Sequence, residues 1–310
     1  MSLSRRHVLI TGASGFLGRA CLGHLAENGF EITAVHHGRD PAHEHAGVNW
    51  RRADLTNAAD INALTNVVRP THLLALAWHM GPDQRHSAKN YRWIQHSLEL
   101  LFAFARNGGQ RAVFCGSCAE YDWSDGGPLH ETQSALRPAC DYGAAKAALF
   151  RAFGPMLVRL GVSGVWARPF FLYGPGENGQ RLVASVVRAL LERREALTTD
   201  GSHKRDFLHV GDAARALVTL LGSDVTGPVN IASGSAVAVA DIVREIARQT
   251  GQTGFVRLGA LPQPPGEAAI VEADTGRLRR ELEFSAQYDL AGGLADTIAW
   301  WRTQLEREPA

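Results

Sequence analysis

Tyr142 and Lys146 stand four residues apart in the segment Asp141-Tyr-Gly-Ala-Ala-Lys. Residues at i and i+4 share one face of a helix, so a phenol and an ammonium group can point into one site. A free phenol has a pKa of about 10 and is a poor base at neutral pH. A neighbouring cation stabilises the phenolate and lowers that pKa, which suits the tyrosine to general acid or base catalysis. On most helices such a pair is only a solvated face, so the prediction depends on other motifs.

A glycine-rich segment near the start of the chain is the second motif. The apolar run His7-Val-Leu-Ile10 precedes Thr11-Gly-Ala-Ser-Gly-Phe-Leu-Gly18, and the residues that follow have the apolar spacing of a helix. Between a strand and a helix, such glycines are typical of dinucleotide binding. Gly12 permits a tight turn, Gly15 lets backbone amides approach a pyrophosphate, and Gly18 lets helix and strand pack closely. The alternative is an ordinary glycine turn.

Ser117 supplies a third candidate group, in the segment Phe114-Cys-Gly-Ser-Cys-Ala-Glu-Tyr121. It follows a predicted buried strand, so its hydroxyl is expected at the carboxyl edge of the sheet, where it can hydrogen-bond an oxygen of a bound substrate. The alternative is a serine that satisfies the strand end locally. Ser117 stands 25 residues before Tyr142.

The composition favours an enzyme in the cytoplasm. The chain has 310 residues, 45% hydrophobic content and a formal net charge of +1, which gives no sign of a nucleic-acid or membrane surface. No apolar run reaches the roughly 20 residues that a membrane span needs. The residues before the first apolar run are too few for a signal peptide. The four cysteines lack the spacing of metal ligands and are expected to be reduced; they are Cys21, Cys115, Cys118 and Cys140.

Strands and helices alternate along the chain. This order predicts right-handed βαβ units and a Rossmann-type, doubly wound parallel sheet of the α/β class. A Gly-Pro pair at 154–155 is expected to kink or split the helix that carries Tyr142. The predicted strands are 7–10, 30–35, 48–54, 72–77, 111–115 and 164–168, and the predicted helices are 60–68, 90–107, 142–160, 182–191 and about 293–305.

The character of the chain changes after Arg168. Residues 169–180 are rich in glycine, proline and aromatic residues and are predicted to form a loop. The remainder suits a smaller α/β lobe at the carboxyl edge of the sheet, where open α/β sheets bind ligands. We therefore expect residues 1–168 and 207–232 to bind a dinucleotide, and residues 169–206 and 233–310 to bind the substrate.

Together these motifs resemble the extended short-chain dehydrogenase/reductase family, the NAD-dependent epimerase/dehydratase group that acts on nucleotide-linked sugars. The resemblance covers nearly the whole chain. Besides the segments above, it includes Asp54-Leu55, Leu74-Ala-Leu-Ala77, Asn90, Arg168-Pro169, Tyr173-Gly-Pro175, Arg205-Asp-Phe-Leu-His-Val210 with Asp212, Val229-Asn-Ile-Ala-Ser-Gly234 and Gly293-Leu-Ala-Asp-Thr-Ile-Ala-Trp-Trp301.

The resemblance implies a role for each matching residue. Tyr142 would exchange a proton with the carbinol oxygen of the sugar, Lys146 would lower the pKa of the tyrosine and bind the nicotinamide ribose, and Ser117 would position the reacting oxygen. The implied cofactor-binding residues are Gly12, Ser14, Gly15, Phe16, Leu17, Gly18, His37, Arg39, Asp54, Leu55, Ala75, Ala77, Tyr142, Lys146 and Pro169. The implied substrate-binding residues are Trp78, His79, Ser117, Arg181 and Arg205.

Two of these substrate-binding residues, Arg205 and His79, have specific expected roles. Arg205 would hold the diphosphate of a nucleotide-sugar, a contact that suits a fixed guanidinium fork. His79 would border the sugar beside Trp78, but a structural histidine is an equal alternative.

Departures from the family pattern narrow the reaction. The 4,6-dehydratases carry an Asp-Glu pair directly after the serine position, where this chain has Cys118 and Ala119. The GDP-fucose synthases place an epimerising cysteine at the position of Ala119 and a histidine near Arg181. We expect neither dehydration nor that epimerisation, and we expect Cys118 to serve packing. The resemblance is greatest to reductases of NDP-4-keto-6-deoxyhexoses such as CDP-abequose synthase.

The end of the second strand bears on the choice of cofactor. NAD enzymes place an acid there for the ribose 2′-hydroxyl, but this chain has Val35-His-His-Gly-Arg39. Arg39 with His36 or His37 suits a 2′-phosphate, so NADP(H) is predicted, with NAD(H) as the alternative. The nearby His43 and His45 have irregular spacing, and no metal is expected.

Three functions remain open on the sequence. The first is a reductase of a nucleotide-linked 4-keto-sugar, the second a 4-epimerase that keeps NAD bound, and the third a non-catalytic sensor of dinucleotides. The intact serine, tyrosine and lysine argue against the sensor. The family also implies a homodimer built on the helices 90–107 and 142–160.

Overall fold

The computed structural model describes residues 6–38, 47–124 and 126–307. Its strands are β1 (His7–Thr11), β2 (Glu31–His36), β3 (Val48–Arg52), β4 (His72–Ala75), β5 (Arg111–Cys115), β6 (Ser163–Pro169), β7 (Phe171–Tyr173), β8 (Ala196–Leu197), β9 (Lys204–His209), β10 (Gly227–Ile231), β11 (Ala236–Ala238), β12 (Val256–Arg257) and β13 (Ile270–Val271). Its helices are α1 (Phe16–Glu27), α2 (Ala58–Val68), α3 (Lys89–Arg106), α4 (Asp141–Leu160), α5 (Leu182–Leu191), α6 (Val210–Leu221), α7 (Val239–Thr250), α8 (Gly276–Leu282) and α9 (Leu290–Arg307). Within the described ranges, no helix is long and apolar enough to cross a membrane.

The main sheet has seven strands in the order β10-β6-β5-β4-β1-β2-β3. All six of its strand pairs are parallel. One face packs against α1 and α6, and the other against α2, α3 and α4. The predicted Rossmann-type α/β fold is therefore confirmed. The chain reverses its direction across the sheet between β1 and β4, which opens a crevice at the carboxyl ends of these two strands.

A second group of elements lies beyond the main sheet. Strands β7, β9, β11 and β13 form a small mixed sheet, and β8 pairs with β12. Helices α5, α7 and α9 enclose a separate apolar core. The sequence pattern predicted only the two helices α5 and α9 among the elements of this region. Except for β9, its strands have only two or three residues and are too short to show a period.

One expectation for an individual element is wrong, and another is wrong in part. The segment 169–180 is not only a loop, because β7 lies within it and pairs in parallel with β9, from Phe171 opposite Phe207. Its partner is remote in sequence, so local composition does not reveal the pairing. The expected split of helix α4 at Gly154-Pro155 does not occur, because the helix continues to Leu160; the expected kink stays a prediction. Pro155 and Arg151 are exposed, so the carbonyl that loses its helical hydrogen bond can bond to water instead.

The first glycine turn shows why α1 can begin so close to β1. Gly12 has a φ of +70°, in the left-handed region that glycine favours. A Cβ on Gly18 would overlap the carbonyl oxygen of Gly12 and lie 2.8 Å from the Cα of Ala13. Helix α1 therefore packs directly on the turn, as expected for Gly18.

Gly18→Ala should consequently destabilise the protein by about 1–3 kcal/mol, because the added methyl group meets backbone that cannot move aside. Gly23→Ala on the same helix is the matched control, since a Cβ there meets nothing within 4 Å. The control should gain about 0.5–1 kcal/mol from helix propensity. Urea denaturation of the two variants measures both changes, and equal stability of the two would contradict the tight packing at Gly18.

Candidate active site

The phosphate-binding turn comes from the first βα unit. The backbone N–H of Gly15 donates to the carbonyl of Gly12 at 3.0 Å, and Gly15 is the N-cap of α1 with no side-chain cap among the described residues. The first N–H groups of α1 are thus available to an anion at the positive end of the helix dipole. A Cβ on Gly12 would lie 2.9 Å from the N of Ala77, so this turn also contacts the segment after β4. The glycines form a cradle that fits a dinucleotide pyrophosphate.

The crevice beyond this turn continues into a small cavity. Its lining includes four of the predicted cofactor residues, namely Leu55, Ala75, Ala77 and Lys146. Thr11 at the end of β1 also lines it and accepts a hydrogen bond from the N of Ala77 at 3.2 Å. The structure therefore brings the ends of β1 and β4 together with α4.

The adenine side of the predicted cofactor site is only partly described. Asp54 follows β3 and accepts hydrogen bonds from the N and Oγ1 of Thr56 at 2.8 and 2.7 Å, which hold the pKa of Asp54 below its usual value. The Nε2 atom of His37 lies 3.5 Å from an Asp54 carboxylate oxygen. Arg39, together with the histidines at 43 and 45, lies outside the described residues.

Ser117, Tyr142 and Lys146 are brought together by the packing of α4 on the turn after β5. Ser117 is the N-cap of a short 3₁₀ helix, Cys118–Glu120, and the 3₁₀ helix packs against the first turn of α4. A Cβ on Gly143 would overlap the carbonyl oxygen of Ala119, so only glycine allows this approach. The side chain of Ser117 lies close enough to the phenol of Tyr142 to lower the pKa of that phenol. These three predicted catalytic residues thus converge at the carboxyl edge of the sheet.

Lys146 is buried, with 3% of its surface exposed. Its Nζ donates to the carbonyl of Cys115 at 2.6 Å and lies 3.6 Å from the centroid of the Trp78 ring. Burial lowers the pKa of Lys146 to about 8, although the nearby Cys115 and Glu120 act in the opposite direction. The ammonium group is therefore close to its titration point at neutral pH.

The structure corrects the expectation that Lys146 lowers the pKa of Tyr142. The Lys146 Nζ lies 5.9 Å from the centroid of the Tyr142 ring, and it is directed to Cys115 and Trp78. Burial raises the pKa of Tyr142 well above its usual value, while the nearby Ser117 side chain lowers it. The phenol is consequently protonated at neutral pH, which is the form that donates a proton.

Trp78 is more deeply placed than a sugar contact requires. Its Nε1 donates to the Oδ1 of the fully buried Asn90 at 2.8 Å, and its ring packs edge-on against Tyr142 with centroids 6.4 Å apart. The Nδ2 of Asn90 in turn donates to the carbonyls of Gln84 and Ser87. Trp78 therefore forms the floor beneath Tyr142 and Lys146.

The other predicted substrate residues lie on separate elements around this floor. His79 pairs with Asp83, with 3.0 Å between Nε2 and Oδ1. Arg181, the exposed N-cap of α5, donates to Gln84 at 3.4 Å, which links the segment after β4 to the second lobe. Arg205 is buried: it donates to the carbonyls of Lys204 and Ala268, and its Nη2 lies 3.1 Å from Glu267. The charge of Arg205 acts on the thiol of Cys118, in the turn that carries Ser117.

The sequence analysis missed a buried ion pair beneath the site. Glu120 and Arg168 are both fully buried, with 2.8 Å between Oε2 and Nε. The sequence does contain a motif that could have identified Glu120: Ser117 and Glu120 have the Ser-x-x-Glu spacing of a capping box. The structure forms that capping box.

Comparison with known proteins agrees with this geometry. Residues 8–232 match the model of the NAD dependent epimerase/dehydratase family. The chain belongs to this family, which is the extended short-chain dehydrogenase/reductase family that the motifs predict.

Individual relatives have several activities. A dTDP-4-dehydro-6-deoxy-D-allose reductase of Streptomyces bikiniensis is 26% identical, over 96% of this chain and 96% of the relative. A UDP-glucose 4-epimerase of Azospirillum brasilense is 26% identical, over 97% and 93%. Among solved structures, MoeE5 in complex with UDP-glucose and NAD has a TM-score of 0.82 at 27% identity, and covers 96% of this chain and 99% of its own. The UDP-glucose 4-epimerase of Thermotoga maritima shares the fold, with a TM-score of 0.87 at 21% identity over 96% and 99%.

Proposed function

We propose that this protein is an NADPH-dependent reductase of a nucleotide-linked 4-keto-6-deoxyhexose. The observation that carries the proposal is the convergence of Ser117, Tyr142 and Lys146 with a protonated phenol, and with no free carboxylate pair in the described turn 116–121 beside it. Two curated relatives, 26% and 25% identical, are reductases of a dTDP-linked 4-keto-6-deoxy sugar.

The residues after Ser117 support reduction over dehydration or epimerisation at C3 and C5. Cys118 is buried, and burial raises the pKa of its thiol to about 12, so this thiol is no base at neutral pH. Glu120 is the only carboxylate in the turn, and it is engaged by Arg168. Neither side chain can exchange protons with carbons of a sugar.

The mechanism assigns one proton transfer to the protein. A reduced nicotinamide cofactor, when bound, would supply the hydride for C4 of the keto-sugar. Ser117 holds the C4 oxygen, and Tyr142 donates its phenolic proton to that oxygen as negative charge develops there. Lys146, with its pKa near 8, would hold the nicotinamide ribose of a bound cofactor and is the protein group from which the phenolate would recover its proton.

We also infer that two parts of the chain bind different ligands. Residues 1–168 and 207–232 contain all seven strands of the main sheet except for Pro169, the last residue of β6. We propose that they bind the dinucleotide. Residues 169–206 and 233–310 contain α5, α7 and α9 with their separate core, and we propose that they bind the nucleotide-sugar.

A direct assay tests the proposed reaction. With a nucleotide-linked 4-keto-6-deoxyhexose, the native protein should consume NADPH, measured as loss of its absorbance. Tyr142→Phe should lower kcat by about 10²–10⁴-fold, because it removes the acid and keeps the ring. Tyr288→Phe is the control, since this exposed tyrosine packs against His209 in the second lobe. Full activity of Tyr142→Phe would contradict the mechanism, and tightly bound NAD with turnover in the absence of added cofactor would identify a 4-epimerase.

The preference for NADPH rests on the basic residues after β2. Arg39→Ala should raise the KM for NADPH by roughly tenfold to a hundredfold, the effect of one lost hydrogen bond to a charged group, and should leave the KM for NADH unchanged. Steady-state kinetics with both cofactors provide the measurement, with the exposed Arg302→Ala on α9 as the control. An equal change in the KM values for NADPH and NADH would show that Arg39 does not bind the 2′-phosphate.

A homodimer through α3 and α4 is a further proposal. These helices pack side by side, and large apolar side chains remain exposed on them: Phe102 is 45% and Val158 is 85% exposed. Helix α4 is continuous across Pro155, so it presents one uninterrupted face. Sedimentation velocity should show a dimer that the Phe102→Glu and Val158→Glu double variant converts to a monomer. Val67→Glu on α2, 71% exposed, should stay dimeric; a monomeric native protein would refute the proposal.

A further inference from the structure

Glu120 is a buried acidic residue for which the proposed reaction has no use. It is fully buried, three residues after Ser117, in the turn that leads away from β5. A carboxylate at such depth needs partners, because transfer of an unpaired charge out of water is very costly.

The partners of Glu120 come from two directions. Its Oε1 accepts a hydrogen bond from the backbone N–H of Ser117 at 2.8 Å and from the Nε1 of Trp166 at 2.9 Å. Its Oε2 accepts from the Nε of Arg168 at 2.8 Å. A Cβ on Gly116 would lie 2.5 Å from the Glu120 Oε1, so a glycine before Ser117 leaves the room that this carboxylate occupies.

These contacts fix the orientation of Ser117. The Ser117 Oγ accepts from the N of Ala119 at 3.1 Å, which completes the capping box with Glu120. Since the oxygen of the serine is used as an acceptor by the backbone, its hydroxyl proton is directed elsewhere. The Ser117 side chain also acts on Tyr142, where it lowers the pKa of the phenol.

The charge of Glu120 also reaches the two titrating residues of the site. It favours the protonated forms of both Lys146 and Tyr142. For Lys146 this opposes burial, the larger effect, which lowers the pKa to about 8.

We propose that Glu120 is a positioning residue of the active site, a buried carboxylate that holds Ser117 by its backbone and supplies a negative charge close to Lys146. The catalytic part of this role rests on the proposed function, whereas the electrostatic part does not. Without this charge, the ammonium group would lie in a buried pocket with only a carbonyl dipole and an aromatic face as partners.

Other groups around this pair must be considered in any titration. Lys146 faces Cys115 at the end of β5 and Tyr142 on its own helix. Glu120 faces Arg168 on β6, with Tyr121 and Cys118 beside it in the turn. Burial raises the pKa of both Cys115 and Cys118, so these thiols do not titrate in the range where Lys146 does.

The charge of Glu120 can be tested without substrate, because the chain contains only three lysines, Lys89, Lys146 and Lys204. NMR of protein labelled at the lysine side chains should show Lys146 titrating with a midpoint of about 8, assigned by its loss in Lys146→Met. In Glu120→Gln, the midpoint should fall by about one unit or more, the effect of removing a neighbouring opposite charge. A midpoint equal to that of the native protein would overturn the proposal.

Glu131→Gln is the matched control for this titration. Glu131 is also buried and accepts a hydrogen bond from a backbone N–H, that of Asn230, at 3.1 Å. It acts on Tyr121 but is not among the groups that shift Lys146. Its removal should leave the Lys146 midpoint unchanged, and an equal fall in this variant would mark a structural effect and overturn the proposal.

A second variant tests the proposal in case Glu120→Gln fails to fold. Glu120→Gln leaves Arg168 buried opposite an amide, so we pair it with Glu120→Met/Arg168→Met, since an apolar pair in place of a buried ion pair is often neutral or stabilising. This double variant also removes the Arg168 cation, so the Lys146 midpoint should fall by less than in Glu120→Gln but still measurably, with native near-UV circular dichroism. An unchanged midpoint in it also overturns the proposal.

Kinetics separate this inference from the proposed function. If the native protein reduces the keto-sugar, Glu120→Gln should lower kcat by roughly tenfold or more, because both the position of Ser117 and the charge near Lys146 are disturbed. If the native protein does not reduce it while the Lys146 midpoint falls as expected, the proposed function fails and the electrostatic role of Glu120 stands.

Discussion

The burial of the Lys146 ammonium group is the constraint on which the rest of the site depends. A cation removed from water requires compensation, and here the compensation comes from three separate elements. The carbonyl of Cys115 accepts its hydrogen bond, the Trp78 ring lies beneath it, and Glu120 supplies the opposite charge. Each requirement fixes one more part of the structure. Trp78 must be oriented by Asn90, and Glu120 must be held by Arg168.

The same arrangement separates two titrating groups that the sequence presents as a pair. Lys146 is directed away from the phenol of Tyr142, and both side chains lose water. Burial then moves their pKa values in opposite directions, that of the lysine down and that of the tyrosine up. This leaves a neutral phenol, ready to donate, beside an amine near its titration point. Such a state suits the reduction of a ketone, in which the enzyme must give a proton.

Glycine sets how closely the catalytic elements approach. Gly143 lets α4 contact the turn that carries Ser117, and Gly18 lets α1 contact the turn at the end of β1. Both are helical positions, where glycine costs about 0.5–1 kcal/mol relative to alanine. In each case the lost helix propensity permits backbone to meet backbone, and a reacting or binding group lies at the contact.

Much of the fold and of the catalytic set follows from the sequence by itself. Strand β5, helix α5 and the glycine turn are local patterns, because hydrophobic period and glycine spacing act over a few residues. Tyr142, Lys146 and Ser117 were identified by their spacing in the same way. Strand β7 was missed because its partner β9 lies more than thirty residues away, and α4 continues through Pro155 because that turn faces solvent.

Only the tertiary structure decided the protonation states and the buried ion pair. Glu120 and Arg168 are 48 residues apart in sequence, and neither residue type is expected in a core. The direction in which the pKa of Tyr142 shifts depends on how much water its hydroxyl loses, and that is a property of the packed protein. The sequence determines which groups are present and on which element each one lies, because local periodicity specifies both. Which charges meet, and at what depth, is decided when the elements pack, because desolvation and Coulomb interaction depend on distance in space.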